Sequence, residues 1–396
     1  MNSTMFPASR DEALSRLSRF LPRAGRLYEE GRNTDPGPDR LGAVSKLSPY
    51  LRYRLITEQD VVTQVLTQHD LEGADKFVQE VLWRTYWKGW LEMRPSVWSR
   101  FQEERDRQAN AFGNRSCIVS AENGQTGIEG FDDWAQELIQ TGYLHNHARM
   151  WFASIWIFTL RLPWALGADF FLRHLIDADA ASNTLSWRWV AGLQTVGKTY
   201  LATRENIARF TNGRFAPSGL AKEAVAISEQ PVPLPIQPRE SQVYDPTSPT
   251  LLLITHEDMH AESVISDPRL IAQVQIAADR GLLWGEHARQ FVATATKESM
   301  IRIGTHFQCE VHVGDALDAE TLLKAAQSNR VRQVMTPYVP VGPVADRLPS
   351  IAKILTQEGI TVHEQRRLWD RKFWPHAKRG FFQFKEQIPK ILPDFI

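Results

Sequence analysis

Between Gly130 and Arg214 the chain gathers polar side chains that a packed helical core does not need. Asn146 and Arg149 are followed downstream by Asp177, Asp179 and Asn183, all set among tryptophans and phenylalanines. Buried carboxylates, amides and guanidinium groups are costly unless each finds a partner. Their clustering among aromatics therefore points to a ligand that is polar, planar and large. By helical spacing Asn146, Arg149, Met150 and Ala153 share one face, and Asn183 and Trp187 share another. Upstream, Glu80, Trp83, Arg84 and Trp87 fall at i, i+3, i+4 and i+7. That face could wall a flat ligand, or it could be a partly solvated face with an Arg–Glu pair. Ser48-Pro49 reads as an N-cap with proline at the first helical position. Such a start suits a phosphate, or is an ordinary capped helix.

A third cluster, His256-Glu257-Asp-Met-His260, matches the His-Glu-x-x-His pattern of zinc hydrolases. That chemistry needs both histidines on one helical turn and a further ligand, for which only His287 or His306 offers itself. The motif follows a β-type run directly. The competing reading is the loop after the first strand of a parallel sheet, where open α/β folds bind ligands.

The elements that must position these residues divide in two. Residues 1–222 read as helical. Phe77, Val81, Leu82 and Leu91 make an apolar stripe over residues 73–92. Helices are also expected over 11–32, 56–70, 131–144, from Asn146 onward and around Asn183, with Trp164 in a turn and residues 103–128 as a polar loop with a turn at Asn123-Gly124. A turn-rich loop runs from Asn33 to Asp39. Residues 223–249, with six prolines, read as a linker. From residue 250 to 396 strands are expected at 250–255, 308–313, 331–336 and 361–364, with helices at 287–299, 318–328 and 346–358. The fold class is thus an all-helical domain followed by an α/β parallel-sheet, Rossmann-like domain.

The chain has 396 residues, 43% of them hydrophobic and 23% charged, which is a globular composition with room for two domains. Net charge is zero and neither half is basic overall, so any nucleic-acid site must be a local patch. Cys117 and Cys309 are the only cysteines, which excludes a four-cysteine metal site within the chain and a disulfide framework. The first ten residues lack a signal pattern and no apolar run is long enough for a bilayer, so a cytoplasmic monomer without a membrane partner is expected. The 13 tryptophans decide nothing by number, since large aromatics are often simply core.

Four segments, in order and with similar spacing across residues 15–214, resemble the cryptochrome/photolyase family. Ser45-Lys-Leu-Ser-Pro-Tyr-Leu51 resembles its flavin-phosphate segment Thr-Ser-Arg-Leu-Ser-Pro-Tyr-Leu. Glu80-Val-Leu-Trp-Arg84 resembles Glu-Leu-Ile-Trp-Arg. Thr141-Gly-Tyr-Leu-His-Asn-His-Ala-Arg-Met150 resembles Thr-Gly-Trp-Met-His-Asn-Arg-Leu-Arg-Met. Asp177-Ala-Asp-Ala-Ala-Ser-Asn183, with Trp187 and Trp189, resembles Asp-Gly-Asp-x-Ala-x-Asn…Trp-x-Trp.

The resemblance implies FAD held by Tyr28, Ser45, Lys46, Leu47 and Ser48, with Arg149 paired to Asp177 beside the isoalloxazine, Asp179 lining the ring and Asn183 facing N5. It implies a cavity for a flipped pyrimidine dimer lined by Glu80, Trp83, Asn146 and Met150, with Trp83 stacking and Glu80 bonding a base edge. The implied reaction is light-driven electron transfer that splits a cyclobutane pyrimidine dimer in damaged DNA, with Trp187 and Trp164 as the first steps of an electron path. The His145-Asn146 pair resembles the cyclobutane type of photolyase more than the (6-4) type.

Departures are equally specific. Lys46 stands for the usual Arg and Tyr143 for a Trp. A third path tryptophan would fall near Ala111-Phe112. Residues 192–214 do not follow the family's usual Gly-Thr-x-x-x-x-Pro-Tyr-Phe-Arg loop. The family places an α/β antenna domain first, whereas here the α/β half comes second, and Arg330–Lys385 loosely resembles that antenna domain's end. No residue identifies a second chromophore. Three functions therefore remain on the sequence: a dimer-repairing photolyase, a cryptochrome-like light or redox sensor, and a zinc hydrolase using His256, Glu257 and His260.

Overall fold

The computed structural model describes residues 5–38, 40–113, 115–265 and 270–396. Met1 to Thr4, and Asp39 at the end of the turn-rich loop, lie outside the described residues. The first half is helical: α1 (Arg10–Phe20), α2 (Arg26–Gly31), α3 (Ser48–Arg52), α4 (Glu58–Leu66), α5 (Asp75–Glu92), α6 (Ser96–Ala111), α7 (Arg115–Glu122), α8 (Phe131–Thr141), α9 (Asn146–Ser154), α10 (Trp164–His174), α11 (Ala180–Val190) and α12 (Arg204–Phe210). The second half holds a five-stranded parallel sheet, β1 (Thr250–Thr255), β2 (Ile271–Ala277), β3 (Val311–Gly314), β4 (Gln333–Pro337) and β5 (Thr361–Gln365), in the order β3-β2-β1-β4-β5. Its helices are α13 (Glu286–Phe307), α14 (Ala319–Ser328) and α15 (Pro343–Gln357), and the chain closes with α16 (Leu368–Phe373), α17 (Phe381–Lys385) and α18 (Ile388–Ile391). Among the described residues no helix is long and apolar enough to cross a membrane.

Several elements differ from the sequence expectation. Residues 103–128 are not a polar loop: they are the end of α6, all of α7 and the turn at Gly124. Only Val97, Trp98 and Phe101 of α6 are buried, so its charges face solvent and pair along the helix, as Arg107 does with Glu104. A helix stabilised that way shows little apolar periodicity. Trp164 opens α10 rather than sitting in a turn. Ser48 is the first residue of α3 and not its cap: Leu47 holds the N-cap position without a side-chain bond, and α3 runs only five residues. Strand β2 was not anticipated, although Ile271, Val274 and Ile276 are buried in a cluster with Ile303 and Phe307 of α13.

Helix α5 is the axis of the molecule. From Thr85 to Glu92 every residue is buried, because α4, α11 and the C-terminal segments all pack on it. Gly89 allows Trp374 to lie against the helix, since a Cβ there would sit 2.8 Å from the indole. The closing helices pack into the helical core through Trp369, Phe373, Phe384 and Ile388, not into the sheet. The proline-rich stretch 223–249 has no regular element but is strapped down: Arg188 pairs with Glu229, Ile236 N–H donates to Met93 O at 2.9 Å, and Arg239 Nη1 meets Glu364 at 2.7 Å.

Candidate functional site

Two of the residues singled out for a planar ligand, Arg149 and Asp177, meet at the loop between α10 and α11. Helix α8 ends at Gly142 in the left-handed conformation, and its carbonyl accepts from Ile176 N–H at 2.8 Å. Tyr53 Oη donates to Ile176 O at 2.7 Å, and Arg52 Nε donates to Ala178 O. So fixed, the loop presents Asp177 to α9, where Arg149 Nη2 donates to Asp177 Oδ2 at 2.9 Å and Arg149 Nε donates to Leu144 O at 2.9 Å. Asp177 Oδ1 is buried without a partner. The Arg149 guanidinium also lies 5.5 Å from the Tyr143 ring centroid, and Lys46, with φ of +53°, lies 5.5 Å from the same ring. The 45–48 segment and the Arg149–Asp177 pair are thereby brought together. Burial holds the Lys46 ammonium below its ordinary pKa.

Asp179 is the residue to which the resemblance gives a ring-lining role. It caps α11, accepting from Ala181 N–H at 2.9 Å and Ser182 N–H at 2.8 Å, and its other oxygen faces Arg84 at 3.2 Å and Lys88 at 3.7 Å. Burial opposes its charge, but Arg84, Lys88 and Arg52 outweigh that and hold the carboxyl well below the usual range. Asn183 Nδ2 donates to Ala168 O at 2.9 Å, which turns the amide oxygen away from α10. Asn146 is exposed at the start of α9 and Met150 is half-buried. Tyr28 packs edge-on against Phe20 and Phe77, while Leu47 is buried and Ser45 and Ser48 are half-buried. Trp187 meets Phe171 at 5.1 Å and Trp156 at 6.4 Å, with Nε1 unpartnered. Trp164 meets Phe101 at 5.7 Å, and ring contacts continue through Trp98 to half-buried Trp284.

The Glu80 face is not the Arg–Glu pair offered by spacing. Glu80 meets Arg32 at 2.6 Å, and burial pushes its carboxyl pKa up. Arg84 turns inward to Glu58 and Asp179. Trp83 stacks on Phe381 of α17, with centroids 3.6 Å apart and planes 10° apart.

Sequence reasoning missed the cations that bind the two halves. Arg52 holds Glu257 through two bonds of 2.9 and 2.8 Å. Arg54 meets Asp258 at 3.2 Å and Asp370 at 2.7 Å, and Arg367 also holds Asp258. Their signal was present as Arg52-Tyr-Arg54 inside an apolar run, where a charge needs a distant partner. These contacts remove the zinc reading. The His256–His260 segment is a loop after β1, Glu257 is engaged by Arg52, His287 bonds Ile139 O, and no metal-holding cluster of three occurs among the described residues. The loop lies at the switch point between β1 and β4. There a small polar cavity is closed by Lys88 and Glu92 of α5, and Glu92 accepts from Tyr338 Oη and Val341 N–H at 2.6 Å each.

Buried histidines set an acid limit, His145 and His256 among them. Burial pulls His145 and His256 down to about 4. Unfolded, each takes up a proton below about 6.5; folded, each stays neutral until near its lowered value. Stability is therefore full above that unfolded pKa and declines as pH falls toward the folded one, by roughly 1.4 kcal/mol per pH unit for each histidine. Urea unfolding should show a lower midpoint at acidic than at neutral pH. Equal midpoints would remove both histidines from the account.

Residues 77–213 match the family described as the FAD binding domain of DNA photolyase. That stretch of the helical half is thus similar to the FAD binding domain of DNA photolyase. Among curated relatives, a deoxyribodipyrimidine photo-lyase of Streptomyces griseus is 34% identical over 169 residues, covering 42% of this chain and 35% of that protein. One from Agrobacterium fabrum is 32% identical over 183 residues, covering 46% and 37%. The chain spans less than half the length of these relatives. A crystal structure of a bacterial class III photolyase from Agrobacterium tumefaciens is 28% identical over 52% of this chain and 43% of that one, with a TM-score of 0.44.

Proposed function

We propose that this protein is an FAD-dependent photolyase-type lyase that repairs cyclobutane pyrimidine dimers in DNA. The observation that carries the reading is the Arg149–Asp177 pair, which leaves Asp177 Oδ1 buried and unpartnered beside Tyr143 and the 45–48 segment. A buried acceptor with no donor fits a ligand that brings one. Bound FAD would supply the light absorption and the electron for ring splitting. The chain's residues would do the rest. Tyr28, Ser45, Lys46, Leu47 and Ser48 would seat the cofactor. Arg149 would set positive charge beside the ring, where negative charge is stabilised. Asn183 would offer a neutral amide toward N5, and Asp179 would fix the start of α11 that carries Asn183 and Trp187. Glu80, Trp83, Asn146 and Met150 would meet the flipped bases, and Trp187 and Trp164 would begin the electron path.

A second reading, an FAD light or redox sensor without repair, draws support from the covered face of Trp83. The purified chain is expected to be yellow, and with reductant under blue light to restore oligonucleotides carrying a thymine dimer. No turnover with fully reduced flavin would favour the sensor, and a colourless chain that fails to take up FAD would sink both.

A further inference from the structure

Trp83 is the residue that would stack on a flipped base, yet its ring is already stacked. Phe381 lies parallel to it at 3.6 Å and 10°, the geometry a base would adopt. Tyr86 meets Phe381 edge-on at 5.5 Å, and Phe381 is 4% exposed. The contact is held by a short segment with separate anchors. Tyr86 Oη donates to Arg379 O at 2.7 Å, Arg94 Nη2 donates to Lys378 O at 2.7 Å, and Lys385 pairs with Asp75 at 3.1 Å near the solvent. Phe384 is fully buried against Phe373 and Tyr86, whereas its neighbour Phe382 is 78% exposed. Phe384 thus roots the segment, and Phe381 is the ring it lays on Trp83.

We propose that Phe381 is a built-in occupant of the Trp83 stacking face, and that a nucleic-acid base reaches this face only by displacing it. The inference rests on the reading of Trp83 as a base-stacking residue. The segment is an internal competitor: the base must match the lost Phe381 stack before it gains net affinity. A half-buried ion pair, Lys385–Asp75, tethers the outer side of α17, so the competition weakens with salt.

The test uses the full chain in the dark, with a fluorescent single-stranded oligonucleotide carrying one thymine dimer, read by anisotropy. Phe381→Ala is expected to tighten dimer binding by about tenfold, and Phe381→Leu, which keeps apolar volume but removes the flat ring, by a smaller factor. Phe382→Ala should leave affinity unchanged. Thermal unfolding of each variant shows that the fold is kept, and Phe381→Leu carries the test if the alanine variant unfolds. Trp83→Ala in the Phe381→Ala background should abolish the gain. If Trp83→Ala weakens binding in the parent chain while neither Phe381 variant tightens it, the occupant idea is overturned and the reading of Trp83 stands. If Trp83→Ala changes nothing in either background, the placement of Trp83 against substrate falls, and the occupant role falls with it.

Discussion

Replacing Arg149 by alanine is expected to cost the chain about 3 kcal/mol of stability together with its capacity to retain FAD. The substitution leaves the Asp177 carboxylate with neither oxygen bonded: Oδ2 loses Arg149 and Oδ1 has no partner at the outset. Removing one member of a buried pair costs about 3–5 kcal/mol, and the low end applies because the Arg149 side chain keeps 23% exposure. Leu144 O also loses its donor. Arg149→Lys keeps the charge but not the two-directional guanidinium, so an intermediate loss is expected. Urea unfolding and the flavin absorbance of the purified variant check both parts. An unchanged midpoint with full flavin content would show that Arg149 holds neither the loop nor the cofactor.

The second large effect lies at the joint between the halves. Arg54→Ala removes the cation shared by Asp258 and Asp370, with Glu58 at 4.0 Å, all three carboxyl groups being buried. Asp258 would keep Arg367 and Glu58 would keep Arg84, but Asp370 would be left bare. A loss of about 3–5 kcal/mol is expected. The identity of the orphan makes the prediction sharp: adding Asp370→Asn should recover part of the loss, because a neutral amide is cheaper to bury than an unpaired carboxylate. Equal midpoints for the single and double variants would place the cost elsewhere. Asp258 gives the joint a pH dependence of its own. Burial opposes its charge, but Arg367 and Arg54 outweigh this and hold the carboxyl well below its ordinary pKa. Its contribution is present above the unfolded carboxylate pKa and is lost as pH falls through the folded value.

Much of the helical half was legible because its information is local. The stripe of α5 and the face of α9 are set by residues three or four apart, which a sequence displays directly. The strands after residue 250 were legible as short apolar or alternating runs, save β2. What failed had physical reasons. Helix α7 and the end of α6 were hidden because their charges face solvent and an exposed helix needs little apolar periodicity. The partner of Glu80 was not legible because spacing offers only Arg84, whereas the residue it meets, Arg32, caps the end of α2. The last thirty residues read as the end of the α/β half, but Trp369, Phe373 and Phe384 belong to the helical core.

By itself the sequence determined the helical-then-α/β order, the candidate set of Asn146, Arg149, Asp177, Asp179 and Asn183, and the family those motifs resemble. Each is a property of neighbours along the chain or of residue type. Only the tertiary structure decided what each charged group meets: that Glu257 is held by Arg52 and not by a metal, that Asp179 pairs with Arg84 and Lys88, and that Phe381 lies on Trp83. These contacts join residues far apart in the chain, from 91 to 298 positions distant by their numbers. A buried charge or ring is satisfied by whatever the packed fold brings within a few ångströms, and no periodicity in the chain encodes that meeting.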